Sequence, residues 1–403
     1  MAIITDEHQI EDIVSSRYLE RIFPSQEVLR DLLYSGRRLT LYLGIDPTAP
    51  QLHLGHSTNF LLLKKFQELG HRVILLIGDF TAQVGDPTGK GSTRKVLSHG
   101  EVLENARGYK ERAGKILDFH SNQNPAEIKF NSEWLSQLTL AEVIKLAAKT
   151  TVGQIIKRDM FRERMKAGKE IYLHEFLYPL LQGYDSVAMN VDIEVGGNDQ
   201  TFNMLIGRDL MKAYLEKEKV VIANKLLINP KTQKKLMSKS EGDYVALDDP
   251  PDEMYGKIMA LPDEVVGTML RLCTKLGDRE IEEIEKQKNP KEKKERLAFE
   301  VVSIYHGEKA ARNAQKEFEN IFSKKQLPRE LVEVKLQQGR YPVSALLVKT
   351  KLASSKSEAR RLIEQKGVRV DDKVITSLDQ IIELKGQIVV SKGKRSFVKI
   401  ISI

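Results

Sequence analysis

The stretch LTLYLGIDPTAPQLHLGHSTNFLLLKKFQELGHRVILLIGDF, residues 39 to 80, decides the fold. Two short apolar runs, LTLYLGID (39–46) and VILLIGDF (73–80), end in glycine or aspartate. Between them HSTNFLLLKKFQELGH has helix spacing and closes on Gly70. Strand, helix, strand within about 40 residues is a βαβ unit, and its crossover predicts a parallel sheet. In such sheets ligands sit at the carboxyl ends of strands. There the first N–H groups of the following helix are unpaired and favour anions. The first such junction here carries His53 and His56 on either side of Gly55. The imidazoles can donate to phosphate oxygens, and a bare glycine lets a flat ring such as adenine approach the backbone. Taken alone, HxGH is equally compatible with two histidines that merely cap or pack.

Working outward, residues 10 to 36 read as helical, and residues 98 to 185 read as mostly helical and inserted between two α/β halves. VAMNVDIEVGG (187–197) returns to strand character. NDQTFNMLIGRDLMKAYL reads as a helix entered through Asn198 and Asp199, both good N-caps. KVVIANKLLI (219–228) is another apolar run. After Pro250 and Pro251 the pattern turns helical, and the charged stretch 279–296 reads as a solvated helix face. Residues 324 to 340 read as a linker. In the last segment, 341–403, SKSEARRLIEQKGVRVDDKVI reads as helix, glycine turn, strand, acidic turn, strand.

A chain of 403 residues suggests two to four domains. No apolar run reaches the 18 or so residues of a membrane span, and the acidic N-terminus has no hydrophobic signal core, so a cytoplasmic protein is expected. Cys273 is the sole cysteine, which excludes an intrachain disulfide and a cysteine metal cluster. Residues 341–403 carry thirteen Lys and Arg against six Asp and Glu, a surplus of seven out of a net charge of +8. Charge so concentrated suggests a polyanion partner, or else a solvated surface.

Three further stretches carry chemistry. KKLMSKSEGD (234–243) packs three lysines and two serines into a loop that could neutralise a pyrophosphate leaving group. GDPTGKGS (85–92) is not a P-loop: three residues, not four, separate Gly85 and Gly89, and Gly91 follows Lys90. It reads as a glycine-rich loop presenting Asp86, Lys90 and Arg94 to a ligand. In YPLLQGYDS, Tyr178, Gln182 and Asp185 fall at i, i+4 and i+7, one helix face that is too polar for plain core.

HxGH followed some 180 residues later by MSKS resembles the aminoacyl-tRNA synthetases of the HIGH/KMSKS class. YLGIDPTAP (42–50), YPLLQGYDS (178–186) and VGGNDQ (195–200) are similar to the bacterial tyrosyl-tRNA synthetases, and residues 341–403 resemble their C-terminal S4 RNA-binding domain. The resemblance implies an α/β protein. A Rossmann-like catalytic domain (1–248, helical insertion about 98–185) would be followed by a helical anticodon-side domain (249–323), a linker and a small α+β S4 domain. It implies that Tyr42 and Asp185 hold the phenol of tyrosine, and that Asp86, Tyr178 and Gln182 hold its ammonium group. Gly44, Asp46, Gly55, Asn59, Gly197, Asp199, Gln200, Met237, Ser238 and Ser240 would line the nucleotide site. Thr48, His53, His56, Lys90, Arg94, Lys235 and Lys239 would handle the phosphates, and Arg360, Arg361, Lys366 and Arg369 would contact RNA.

The implied reaction is activation of L-tyrosine by ATP, with Mg²⁺ as part of the substrate complex, and transfer of tyrosyl to tRNA(Tyr). No permanently bound metal or organic cofactor is implied; a homodimer is. Discrimination of ~10⁵ against phenylalanine is the reference figure for this enzyme family, not a deduction from these residues. Three positions depart from the family pattern: Leu236 replaces the first lysine of KMSKS, Glu194 stands where many members have glutamine, and Asn59 where others have threonine. The rival readings are a tryptophanyl-tRNA synthetase, an HxGH nucleotidyltransferase and a catalytically dead RNA-binding protein. The Tyr42 and Asp185 pair argues against the first, the MSKS loop against the second, and His53, His56 and Lys239 against the third.

Overall fold

The structure, a computed structural model, describes residues 2–88, 97–237, 244–323, 332–371, 373–378, 380–393 and 396–403. Its larger sheet has six strands: β1 (Leu19–Phe23), β2 (Thr40–Ile45), β3 (Arg72–Ile77), β4 (Glu127–Phe130), β5 (Ile193–Gly197) and β6 (Val220–Asn224). They lie in the order β1-β6-β5-β2-β3-β4. Five are parallel, and β1 runs antiparallel along β6. Helices cover both faces, so β3 and β6 are near-continuous apolar runs rather than alternating ones. From β2 the chain winds one way to β3 and β4, then returns to β5 and β6 on the other side. The β2/β5 boundary is therefore the switch point, where a crevice opens at the strands' carboxyl ends.

Two local expectations need correction. The segment 10–36 is not one helical region: helices Glu7–Val14 and Gln26–Tyr34 flank β1, whose partner β6 lies two hundred residues away. Asn198 and Asp199 do not cap the helix Thr201–Leu215; they form a short 3₁₀ turn before it. The inserted segment also contributes β4 to the sheet's edge, in register with β3.

The helix Leu54–Glu68 starts at the crevice and is capped at its N-terminus by His53. Helices Leu173–Met189 and Thr201–Leu215 pack closely through two glycines. A Cβ on Gly183 would stand 3.0 Å from the Gly207 nitrogen, so this contact requires bare backbone on both sides. The helices from Pro251 to Ser323 share one apolar core with the sheet, through residues such as Leu54, Val245, Met254, Met269 and Val301. Ile281, Ile284 and Leu297, within the charged stretch 279–296, belong to that core, so only part of that stretch is solvated.

The C-terminal part has its own core, around Leu346, Ile363, Val390 and Ile400. Its strands are β7 (Val332–Leu336), β8 (Gly339–Pro342), β9 (Val368–Val370), β10 (Lys373–Val374), β11 (Ile381–Leu384), β12 (Gln387–Lys392) and β13 (Ser396–Ser402). A five-stranded sheet, β10-β9-β12-β13-β7, accompanies a β8–β11 ribbon and the helices Val343–Lys349 and Lys356–Glu364. β7 pairs in parallel with β13, so residues 332–336 of the expected linker are a sheet strand. Among the described residues no helix is long and apolar enough to cross a membrane.

Candidate active site

A cleft of about 290 Å³ opens at the carboxyl ends of β2 and β5. It gathers residues from five separate stretches of chain: 42–59, 76–86, Asn131, 178–185 and 194–226. Its inner end lies over the sheet. Tyr42, on β2, is buried, and its hydroxyl stands 2.9 Å from Ser186 Oγ. Asp185 is buried too. It accepts from the Trp134 indole N–H at 2.8 Å and from Asn131 Nδ2 at 3.3 Å. Burial pushes the Asp185 carboxyl well above its ordinary range and the Tyr42 phenol well above 10; Glu194 raises both further.

Beside them Tyr178 donates to Asp46 Oδ2 at 2.8 Å, and Thr81 Oγ1 donates to Asp46 Oδ1 at 2.7 Å. Asp46, expected in the nucleotide site, is thus engaged by two hydroxyls of the protein. Asp86 accepts from Gln200 Nε2 at 2.8 Å and from the Thr88 hydroxyl at 2.6 Å. Gln182 donates to Glu194 at 3.3 Å.

The outer end is the start of the helix Leu54–Glu68. His53 Nδ1 accepts from Gly55 N at 3.1 Å, and His56 Nδ1 accepts from His53 N at 3.2 Å. The two rings lie 4.1 Å apart. This is a capping box made from imidazoles, so the capping reading and the binding reading describe the same two residues. With Nδ1 of each ring accepting, the proton of a neutral ring sits on Nε2, which makes that nitrogen a donor. Burial pushes His56 down to about 4, so near neutral pH the ring is uncharged. Gly55 is required for a reason the sequence did not give: a Cβ there would stand 2.8 Å from the His53 ring.

Thr48, Gly44, Asn59, Gly197 and Asp199 also line the cleft, and Asn59 Oδ1 accepts from Asn224 at 2.8 Å. Lys235 lies 2.7 Å from Asp199 Oδ2, an ion pair that occupies both at the rim. Met237, at φ +67°, is buried, with its Cγ 3.8 Å from where a Gly55 Cβ would be. Lys90, Arg94, Ser238, Lys239 and Ser240 lie outside the described residues.

The family model for class I tRNA synthetases of the W and Y type matches residues 34–323, and that for the S4 domain matches 343–389. A tyrosine–tRNA ligase of Thermotoga maritima is 44% identical over 381 residues, covering 93% of this chain and 94% of its own. One from Moorella thermoacetica is 43% identical over 392 residues, covering 95% and 94%. The chain belongs to the tyrosine–tRNA ligase family. Its fold is also that of a C-terminally truncated mitochondrial tyrosyl-tRNA synthetase from Aspergillus nidulans, with a TM-score of 0.64 at 24% identity over 78% of this chain and 94% of that one.

Against that family pattern, four residues of the inner end were missed in the sequence. Asn131 and Trp134 follow β4 and reach Asp185 across more than fifty residues; Ser186 and Lys219 stand behind Tyr42 and Glu194. Only Trp134, the chain's single tryptophan, offered any signal. In the S4 unit Arg360, Arg361, Lys366 and Arg369 are exposed, the first two on the helix Lys356–Glu364.

Proposed function

We propose that this chain activates L-tyrosine with Mg²⁺–ATP and passes the tyrosyl group to the 3′ end of tRNA(Tyr). The observation that carries this reading is the meeting, in one cleft, of a phenol-and-carboxylate inner end with an imidazole-capped helix N-terminus. The tyrosine ring would enter between Tyr42 and Asp185, its ammonium group facing Asp86, Tyr178 and Gln182. Its carboxylate would then point toward the α-phosphate. A carboxylate oxygen bonds to that phosphorus, the bond to the bridging oxygen breaks, and pyrophosphate departs with the electrons. A terminal ribose hydroxyl of the tRNA next attacks the tyrosyl carbonyl, and AMP leaves. The carboxylate is already nucleophilic, so positioning and charge stabilisation are the chain's contribution. His53 and His56 would donate to phosphate oxygens, with Lys90, Arg94 and Lys239 adding positive charge.

A phenylalanine would leave the buried Tyr42 and Asp185 groups unmatched, which is the physical basis of selection. The exposed arginines and lysines of the S4 unit suit RNA phosphates. Leu140 and Leu173 (each 76% exposed) and Ile144 and Val152 (each 60%) lie on the inserted segment, apolar surface that suits a homodimer contact. A single buried thiol, Cys273, fits a cytoplasmic protein.

The test is ATP–pyrophosphate exchange with each of the twenty amino acids. Exchange is expected with L-tyrosine. Exchange driven by tryptophan and not tyrosine contradicts the reading.

A further inference from the structure

Behind the inner end lies a buried ion pair that no sequence motif announced. Glu194, on β5, is the cross-strand neighbour of Tyr42 on β2. Lys219, immediately before β6, is fully buried, and its ammonium group contacts Glu194 Oε2. Lys219 does not line the cleft. It also donates to Ser186 Oγ at 2.8 Å, and that oxygen is 2.9 Å from the Tyr42 hydroxyl. The site is built for a compact cation: a Cβ on Gly207 would stand 2.5 Å from the Lys219 nitrogen.

The pair also reaches the other pole of the pocket. Glu194 Oε1 accepts from Gln182 Nε2 at 3.3 Å. Asn203 Nδ2 donates to the side-chain oxygens of both Gln182 and Gln200, each at 2.9 Å, and Gln200 donates to Asp86 at 2.8 Å. Every amide in this chain of bonds is thereby oriented. A glutamine at 194 could present either end of its amide, whereas a carboxylate can only accept, which obliges Gln182 to donate. A carboxylate buried there needs a cation, and Lys219 supplies it.

We propose that Lys219 and Glu194 act together as positioning residues. They fix the Ser186–Tyr42 hydroxyls at the phenol end, and the Gln182–Asn203–Gln200–Asp86 chain at the ammonium end, of the tyrosine pocket. This rests on the assignment of that pocket under Proposed function. Removing one partner strands a buried charge and disorders both poles. Removing both leaves a neutral arrangement closer to the family's usual glutamine.

The experiment measures pyrophosphate exchange by the full-length chain with L-tyrosine and L-phenylalanine. The variants are Lys219→Met, Glu194→Gln, the double variant, Ser186→Ala and Asp185→Ala. Each single change at 219 or 194 is expected to raise KM for tyrosine by about tenfold or more, with KM for ATP within about twofold. The double variant is expected to be less impaired than either single one. Ser186→Ala, which keeps the ion pair but cuts its link to Tyr42, is expected to narrow selection against phenylalanine. If Lys219→Met does not fold, the double and Ser186→Ala variants carry the test. Tyrosine KM unchanged in the 219 and 194 variants, equal rises for tyrosine and ATP, or a double variant as impaired as the product of the singles would overturn the proposal. If Asp185→Ala narrows selectivity while Ser186→Ala and the 219 and 194 variants do not, this inference alone fails. If Asp185→Ala also leaves selectivity unchanged, the pocket assignment fails with it.

Discussion

The two ends of the cleft are built on opposite principles. At the inner end polar groups are mated to other side chains: Asp185 to Trp134 and Asn131, Tyr42 to Ser186, Gln182 to Glu194 and Asn203. Buried bonds of this kind set a shape before any ligand arrives, and leave an ill-matched ligand without compensation for what it displaces. At the outer end the described groups are a helix terminus and two imidazoles that cap it through Nδ1. That arrangement handles charge with little regard to which molecule carries it. On the proposed reading, selection and charge stabilisation are separated in space along one cleft.

The sharpest break in this contrast comes from Asp185→Ala. It is expected to lower the preference for tyrosine over phenylalanine in kcat/KM by about 10³-fold, with KM for ATP nearly unchanged. Equal loss for both amino acids would show that the inner end does not select.

The histidines sharpen the contrast next. His71 is buried just before β3, at the end of the sheet opposite the cleft, where its Nδ1 accepts from Leu39 N at 3.3 Å, and burial pushes it down to about 4. The unfolded chain, with an ordinary histidine near 6.5, takes up the proton first. The stability this position contributes is therefore complete above pH 6.5 and is lost as pH falls toward 4, at up to about 1.4 kcal/mol per pH unit. Between those limits the unchanged chain is expected to lose about 3 kcal/mol more than His71→Gln, measured by urea unfolding at each pH. Parallel curves for the two proteins would remove His71 from the acid response.

His56, by contrast, serves the outer end. His56→Ala is expected to lower kcat of adenylate formation by about 10²-fold while leaving tyrosine selectivity intact, in pre-steady-state measurements of tyrosyl-adenylate. A change in selectivity would merge the two ends that the structure separates. Smallest, and outside both ends, Arg360→Ala with Arg361→Ala is expected to weaken tRNA binding about tenfold and flatten its salt dependence, with adenylate formation unaffected.

Much of this was legible from the chain. The βαβ unit at 39–80 placed β2, β3 and the His53–His56 junction, because its periodicities and its glycine stop are local. The stripe of Tyr178, Gln182 and Asp185 was legible for the same reason. What escaped depended on distant partners. β1 has helix-like apolar spacing and becomes a strand by pairing with β6. Asn131 and Trp134 sit in a segment read as helical insertion, and their bonds to Asp185 span 54 and 51 residues. Lys219 read as the flank of an apolar run, since nothing beside it in sequence shows that Glu194 lies against it. The odd acid at 194 was visible; its counter-ion was not.

The central claim is that the inner end receives the phenol and the outer end the phosphates. A crystal structure of the full chain with L-tyrosine and a non-hydrolysable ATP analogue tests it most directly. The account predicts the phenolic oxygen within about 3 Å of both Tyr42 and Asp185, and phosphate oxygens within hydrogen-bond reach of His53 and His56 Nε2. A tyrosine ring seated elsewhere, or phosphates remote from the histidine junction, would contradict it.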